Sequence, residues 1–86
     1  MMTAEQRSAL EQAVLEALSA QQIERAATTL VEGYGPEILG FLFVATGRQQ
    51  DSSDIFSDYC EDLWRGLPAF RGESTFRTWS YRLAYH

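Results

Sequence analysis

The sequence predicts an all-α protein, a compact bundle of about five helices, on three observations. Apolar residues recur at helical spacing in successive segments, hydroxyl residues stand three positions ahead of Glu or Gln as they do at helix starts, and no pair of strand-like segments is present. Eighty-six residues support one modest core, so residues 1–86 are expected to form a single domain, with N-terminal helices over 1–33 and the remaining helices over 34–86.

Each element has its own signals. Thr3 with Gln6, Ser8 with Glu11, and Ser19 with Gln22 have the spacing of a capping box, and the first and third agree best with the apolar pattern. A first helix over about 4–18 then carries Leu10, Val14, Ala17 and Leu18 on one face, and a second over about 21–33 carries Ile23, Ala26, Ala27, Leu30 and Val31. Gly33 and Gly35 read as punctuation, and Pro36 suits the first turn of a third helix. That helix, "EILGFLFVAT", is apolar almost all round, which places it at the centre with burial on several sides.

The loop "GRQQDSSD" offers Asp51, Ser52 or Ser53 as the cap of a fourth helix over about 53–66. Ile55, Phe56, Tyr59, Cys60, Leu63 and Trp64 form its apolar stripe, with Asp54, Asp58, Glu61 and Asp62 opposite. After "GLPAFRGE", Ser74 or Thr75 caps a fifth helix whose Phe76, Trp79 and Leu83 face inward.

Composition removes several classes of function. The single cysteine, Cys60, forms neither an internal disulfide nor a metal clip and reads as a buried small hydrophobe, which points to the cytoplasm. No apolar run has membrane-spanning length, and the polar N-terminus lacks the order of a signal peptide. No phosphate loop, paired-His metal motif or nucleophile elbow occurs, so the expectation is a non-enzyme with no cofactor, metal or small-molecule substrate.

Charge is unevenly spread. The net charge of −5 divides into −8 over residues 1–64 and +3 over residues 65–86, an asymmetry that predicts two surfaces with two kinds of partner. On the acidic helix, Asp54/Asp58 and Asp58/Asp62 are like-charge pairs at i, i+4, and Arg65 alone can reach back to Glu61 or Asp62. Such a face either serves solubility or docks a basic protein surface. In the last helix Phe76 and Trp79 read as core. Phe70 sits in a loop beside Arg71, and Tyr81, Tyr85, Arg77 and Arg82 fall on the remaining faces, a mixture of stacking and phosphate-neutralising groups suited to single-stranded nucleic acid.

The stretch from Tyr34 to His86, and above all "LPAFRGESTFRTW" followed by "YRLA", resembles the second conserved region of bacterial sigma factors of the compact extracytoplasmic-function (ECF) group. The resemblance implies an acidic helix that binds the β′ coiled coil of core RNA polymerase, with Asp54 and Asp58 at matching acidic positions and Ser57, Glu61 and Asp62 beside them. It also implies that the loop "AFRGEST" and the last helix recognise and help melt the promoter −10 element. Phe70 matches the loop aromatic that helps hold a flipped-out base, with Arg71, Ser74, Thr75, Arg77, Tyr81, Arg82 and His86 as further DNA-contacting positions.

This sequence departs from the family pattern at three places. Ser57 stands where Gln is usual and Ser53 where Glu is usual, which implies a weakened polymerase dock. His86 stands where a base-contacting Asn is common, which bears on −10 specificity. The chain also ends where the family continues into a basic helix, a linker and a second DNA-binding domain for the −35 element, so a piece of a longer protein is expected and that later region lies outside it.

Ser52 and Ser53, between two aspartates at an expected helix N-terminus, and Thr46 nearby are candidate phosphorylation sites. A Ser/Thr kinase acting there would restore the missing acidity. An anti-sigma factor is a further expected partner. The alternative expectation is a sigma-like protein-interaction module with weakened polymerase or DNA binding, switched by such phosphorylation.

Overall fold

A computed structural model describes residues 2–85. It is all-α, with no strand among the described residues: α1 (Ala4–Ser19), α2 (Ile23–Thr46), α3 (Gln49–Gly66), a 3₁₀ turn (Leu67–Ala69) and α4 (Phe76–Ala84). The helix α2 is the axle. Its 24 residues span about 36 Å at 1.5 Å per residue, close to the 38 Å longest dimension of the molecule, and α1, α3 and α4 all pack against it.

The two helices expected on either side of Gly33–Pro36 are one. The glycines that read as punctuation are instead where neighbouring helices approach α2. A Cβ on Gly33 would lie 2.3 Å from Leu10 Cδ2, and one on Gly35 would lie 3.3 Å from Phe56 Cζ. Pro36 is exposed, so the hydrogen bond that its missing N–H removes is lost on the solvent side of a helix held elsewhere by packing. The described residues thus hold four α-helices and one 3₁₀ turn, against the expected bundle of about five helices.

Other boundaries moved less. The Thr3–Gln6 capping box closes in both directions, with Gln6 N–H donating to Thr3 Oγ1 at 3.1 Å and Thr3 N–H to Gln6 Oε1 at 2.8 Å. Ser19–Gln22 forms no box; Gln22 precedes α2 without a side-chain cap. The start of α3 lies at Gln49, ahead of the expected cap residues, after Gly47 turns the corner at φ 71°. Thr75 caps α4, accepting from Thr78 N–H at 3.1 Å.

The core joins Val14 and Ala17 of α1 to Ala26, Ala27, Leu30, Tyr34, Ile38 and Leu42 of α2, and adds Tyr59 and Leu63 of α3, Leu67, Phe76 and Ala84. The expected burial of "EILGFLFVAT" on several sides holds for Ile38 and Leu42 but not for Leu39, Phe43 and Val44, which are 39%, 50% and 83% exposed. At the C-terminal end of α2, Ile55 of α3 and Ala84 of α4 lie beside Phe41 and Leu42, while Phe43 and Val44 face solvent. Trp64, placed on the apolar stripe of α3, is likewise exposed, whereas Ser52 joins the buried side. Cys60 is half-buried, and burial pushes its thiol pKa up.

Candidate functional site

Two surfaces carry the expected site residues. On α3, Asp54, Ser57, Asp58 and Glu61 are all exposed and follow the i, i+3, i+4, i+7 spacing of one helix face. Asp62 lies beside them, partly covered. Arg65 closes the row as expected, with Nη2 2.8 Å from Glu61 Oε1 and Nη1 4.0 Å from Asp62 Oδ1. Both bridges lie in solvent, so they add little stability and leave the carboxylates accessible.

The second surface is built from the loop after the 3₁₀ turn and the outer side of α4. Phe70 ends that turn, with its N–H donating to Leu67 O at 3.1 Å, and Gly72 reverses the chain at φ 75°. A loop position does not oblige Phe70 to pack inward. Its ring nevertheless stacks on Phe76 at 4.3 Å between centroids and meets Trp79 edge-on at 5.4 Å, so it is half-buried with one side still open. Trp79 lies over Gly66, whose lack of a side chain makes the room: a Cβ there would sit 3.0 Å from the indole. Phe70, Arg71, Ser74, Trp79 and Arg82 line a groove of about 420 Å³ between the loop and α4. Arg71 and Arg82 are exposed and form no ion pair among the described residues.

Arg77 and Tyr81 correct the sequence reading. Both were expected to face DNA, but both turn to Glu37 of α2. The Arg77 guanidinium and the Tyr81 hydroxyl donate to the same carboxylate oxygen, the latter at 2.7 Å, and the guanidinium carbon lies 5.2 Å from the Tyr81 ring centroid. Burial alone would raise the Glu37 carboxyl pKa. The hydrogen bonds from Arg77 and Tyr81, with the Arg77 charge, outweigh it and hold the carboxyl below its ordinary value. Two groups counted for nucleic acid are thus engaged inside the protein.

Ser74 and Thr75 are local structure-makers. Ser74 Oγ donates to Thr75 O at 3.0 Å, and Thr75 is the α4 cap. His86 lies outside the described residues.

The phosphorylation candidates separate. Ser52 is 1% exposed with its hydroxyl donating to Gln49 O at 2.8 Å, so it is no kinase acceptor in this fold. Thr46 is half-buried, accepting from Arg48 N–H at 3.3 Å while its hydroxyl lies 2.9 Å from Leu42 O. Only Ser53 is exposed. Because α3 begins at Gln49, it stands beyond the first turn, where the helix dipole offers a phosphate little.

Sequence reasoning missed two carboxylates. Glu11, which has capping-box spacing from Ser8, instead accepts from Phe76 N–H at 2.8 Å, Arg77 N–H at 3.0 Å and Tyr34 Oη at 2.6 Å. No local signal marks it, since its partners lie up to 66 residues away. Glu37 did carry one: it is the only charged residue between Glu32 and Arg48 in an otherwise apolar run.

An all-α domain with an acidic helix face, followed by an aromatic and arginine-bearing loop that leads into a short helix, is the class that these two surfaces define. The Sigma-70 region 2 family matches residues 30–86, and the chain belongs to that family. It is 39% identical over 57 residues to RNA polymerase sigma factor YlaC of Bacillus subtilis, covering 66% of this chain and 33% of that protein. It is 36% identical over 61 residues to the RNA polymerase sigma-H factor of Pseudomonas aeruginosa, covering 71% and 32%. Identity to the ECF RNA polymerase sigma factor SigG of Mycobacterium tuberculosis is 32% over 53 residues, covering 62% and 14%. The chain therefore spans about a third of the length of the first two relatives. No solved structure matches the chain significantly.

No helix among the described residues is long and apolar enough to cross a membrane. Nor is there, among them, a group of three or more His, Cys, Asp or Glu placed to hold a metal ion.

Proposed function

We propose that this domain acts in transcription initiation, docking on the β′ coiled coil of core RNA polymerase through α3 and engaging the promoter −10 element through residues 70–75 and the outer side of α4. The observation that carries the reading is the unobstructed acidic row Asp54, Asp58 and Glu61, with Ser57 among them, in a chain of the Sigma-70 region 2 family. Carboxylates on an exposed helix face steer and orient a basic partner more than they add raw affinity.

On the DNA side, the open side of Phe70 offers a stacking surface for an unpaired base, with Phe76 stacked behind it and Trp79 edge-on, and Arg71 and Arg82 flank the same groove for phosphates. Arg77 and Tyr81 serve this surface indirectly, by holding α4 to α2. If a kinase adjusts the polymerase dock, its acceptor is Ser53. An anti-sigma factor would compete for the same acidic face.

The test is the affinity of the protein for core polymerase, or for its isolated β′ coiled coil, beside Asp54→Arg and Asp58→Arg. Both positions are exposed and outside the core, so folding is unaffected and binding is expected to be lost. Equal binding by all three proteins would remove the dock from α3. One observation favours a second reading, a protein-interaction module with weakened DNA binding: Arg65 and Arg77 are internally paired, leaving only Arg71 and Arg82 unpaired in residues 65–86. That reading predicts polymerase binding without retention of promoter DNA.

A further inference from the structure

The helix α4 is only nine residues long, too short to persist in water without help from the rest of the molecule. Its opening N–H groups have no partner within the helix and need one elsewhere. Thr75 supplies one acceptor locally, to Thr78 N–H. The N–H groups of Phe76 and Arg77 are both taken by the Glu11 carboxylate, which reaches across from α1, one oxygen to each. A carboxylate in this place also meets the positive end of the α4 dipole. The Tyr34 hydroxyl donates to the same carboxylate from the core of α2 and fixes its orientation; burial, then the hydrogen bond and charge of Glu11, raise the pKa of that hydroxyl well above its ordinary value.

The consequence extends into the loop. Among the described residues, 71–74 make no backbone hydrogen bond to other backbone groups, so the loop is held at its ends. At its far end stands Phe76, buried, capped by Glu11, and stacked on Phe70 at the near end. Moving the first turn of α4 therefore moves the ring that faces the groove.

We propose that Glu11 is a positioning residue for the promoter-facing surface: a non-local cap through which α1 sets the first turn of α4, and with it Phe76 and Phe70. The inference rests on the reading that this surface meets DNA. It makes a prediction opposite to simple electrostatics. Removing a negative charge from a protein that binds phosphates should strengthen binding, whereas removing this cap should weaken it.

The experiment compares wild type, Glu11→Gln, and Glu16→Gln, the last making the same charge change on the exposed side of α1. Each is assembled with core RNA polymerase and titrated with the single-stranded DNA that the wild-type complex selects from a randomised pool. Polymerase affinity and backbone amide exchange of the free proteins are measured in parallel. In Glu11→Gln, exchange at Phe76 and Arg77 is expected to accelerate by about fivefold or more relative to core amides such as Leu63. DNA affinity falls about five- to tenfold, of the size expected for a lost cap, while polymerase affinity stays within about twofold. Glu16→Gln matches wild type or binds DNA slightly more tightly.

DNA binding by Glu11→Gln as tight as wild type, or tighter, would overturn the proposal. So would a parallel fall in polymerase binding, DNA binding and protection of every core amide, because Glu11 would then be structural in the general sense only. If wild type selects no DNA, it is the promoter reading that fails, and the exchange at Phe76 and Arg77 still decides whether Glu11 holds the α4 terminus.

Discussion

Arg77 carries a charge that suits phosphate, and in the folded protein Glu37 engages it. The carboxylate accepts from Arg77 and from Tyr81, and the three groups form a half-buried cluster between α2 and α4. Because the Glu37 carboxyl is held below its ordinary 4.5, the folded state binds fewer protons there than the unfolded state does. Its stabilising contribution is therefore complete above the unfolded value and disappears as pH falls through the lowered folded value. Glu37→Gln should lower stability at neutral pH and leave a shallower loss on the acid side, so that the two proteins converge at low pH. Urea unfolding at stepped pH reads this directly, and a difference independent of pH would mean that Glu37 is not linked to folding through its charge. The sequence showed Glu37 as a lone charge in an apolar run. It did not show the partners, which lie 40 and 44 residues away.

At the scale of elements, α2 separates what pattern can and cannot tell. Its two halves were each recognisable from apolar spacing, but Gly33, Gly35 and Pro36 between them have the composition of a turn. Continuity was decided by what packs there: Leu10 over Gly33 and Phe56 over Gly35, contacts that reward a helix without side chains at those points. Pro36 remains a local defect on the exposed side, without an N–H to give to the carbonyl four residues earlier. Pro36→Ala is expected to raise stability by about 1–2 kcal/mol, somewhat less than the full cost of an interior proline because alanine also frees the unfolded chain. Chemical denaturation measures it. A loss of stability instead would show that the proline shapes how α2 lies against its neighbours. The capping signals behave in the same way: Thr3–Gln6 and Thr75 act within a single turn and were legible, whereas Ser8–Glu11 had the spacing of a box and a carboxylate committed elsewhere.

Over the whole molecule, the charge division seen in the sequence survives folding with a smaller basic share. Of the four arginines in residues 65–86, Arg65 answers Glu61 and Arg77 answers Glu37, so Arg71 and Arg82 are the two without an ion pair among the described residues. Each phosphate neutralised on single-stranded DNA adds about 0.7 to the slope of log affinity against log salt. Replacing Arg71 and Arg82 together by Gln should therefore reduce that slope by about 1.4 in the polymerase complex, measured by titration at several salt concentrations. An unchanged slope would place the phosphate contacts elsewhere. The acidic face of α3 needs no such revision, because helical spacing alone puts Asp54, Asp58 and Glu61 on one side and their solvent exposure follows from the burial of Tyr59 and Leu63 on the other.

By itself the sequence determined the helical class, most of the core, the acidic face and the family, since these depend on spacing within one helix or on a contiguous string of residues. Only the tertiary structure decided that α2 is unbroken, that Ser52 is buried, that Phe70 stacks inward, and that Glu11 and Glu37 hold the last helix. Those outcomes depend on which groups from distant parts of the chain meet in space, and a hydrogen bond or a close helix contact between them leaves no periodic trace in either segment.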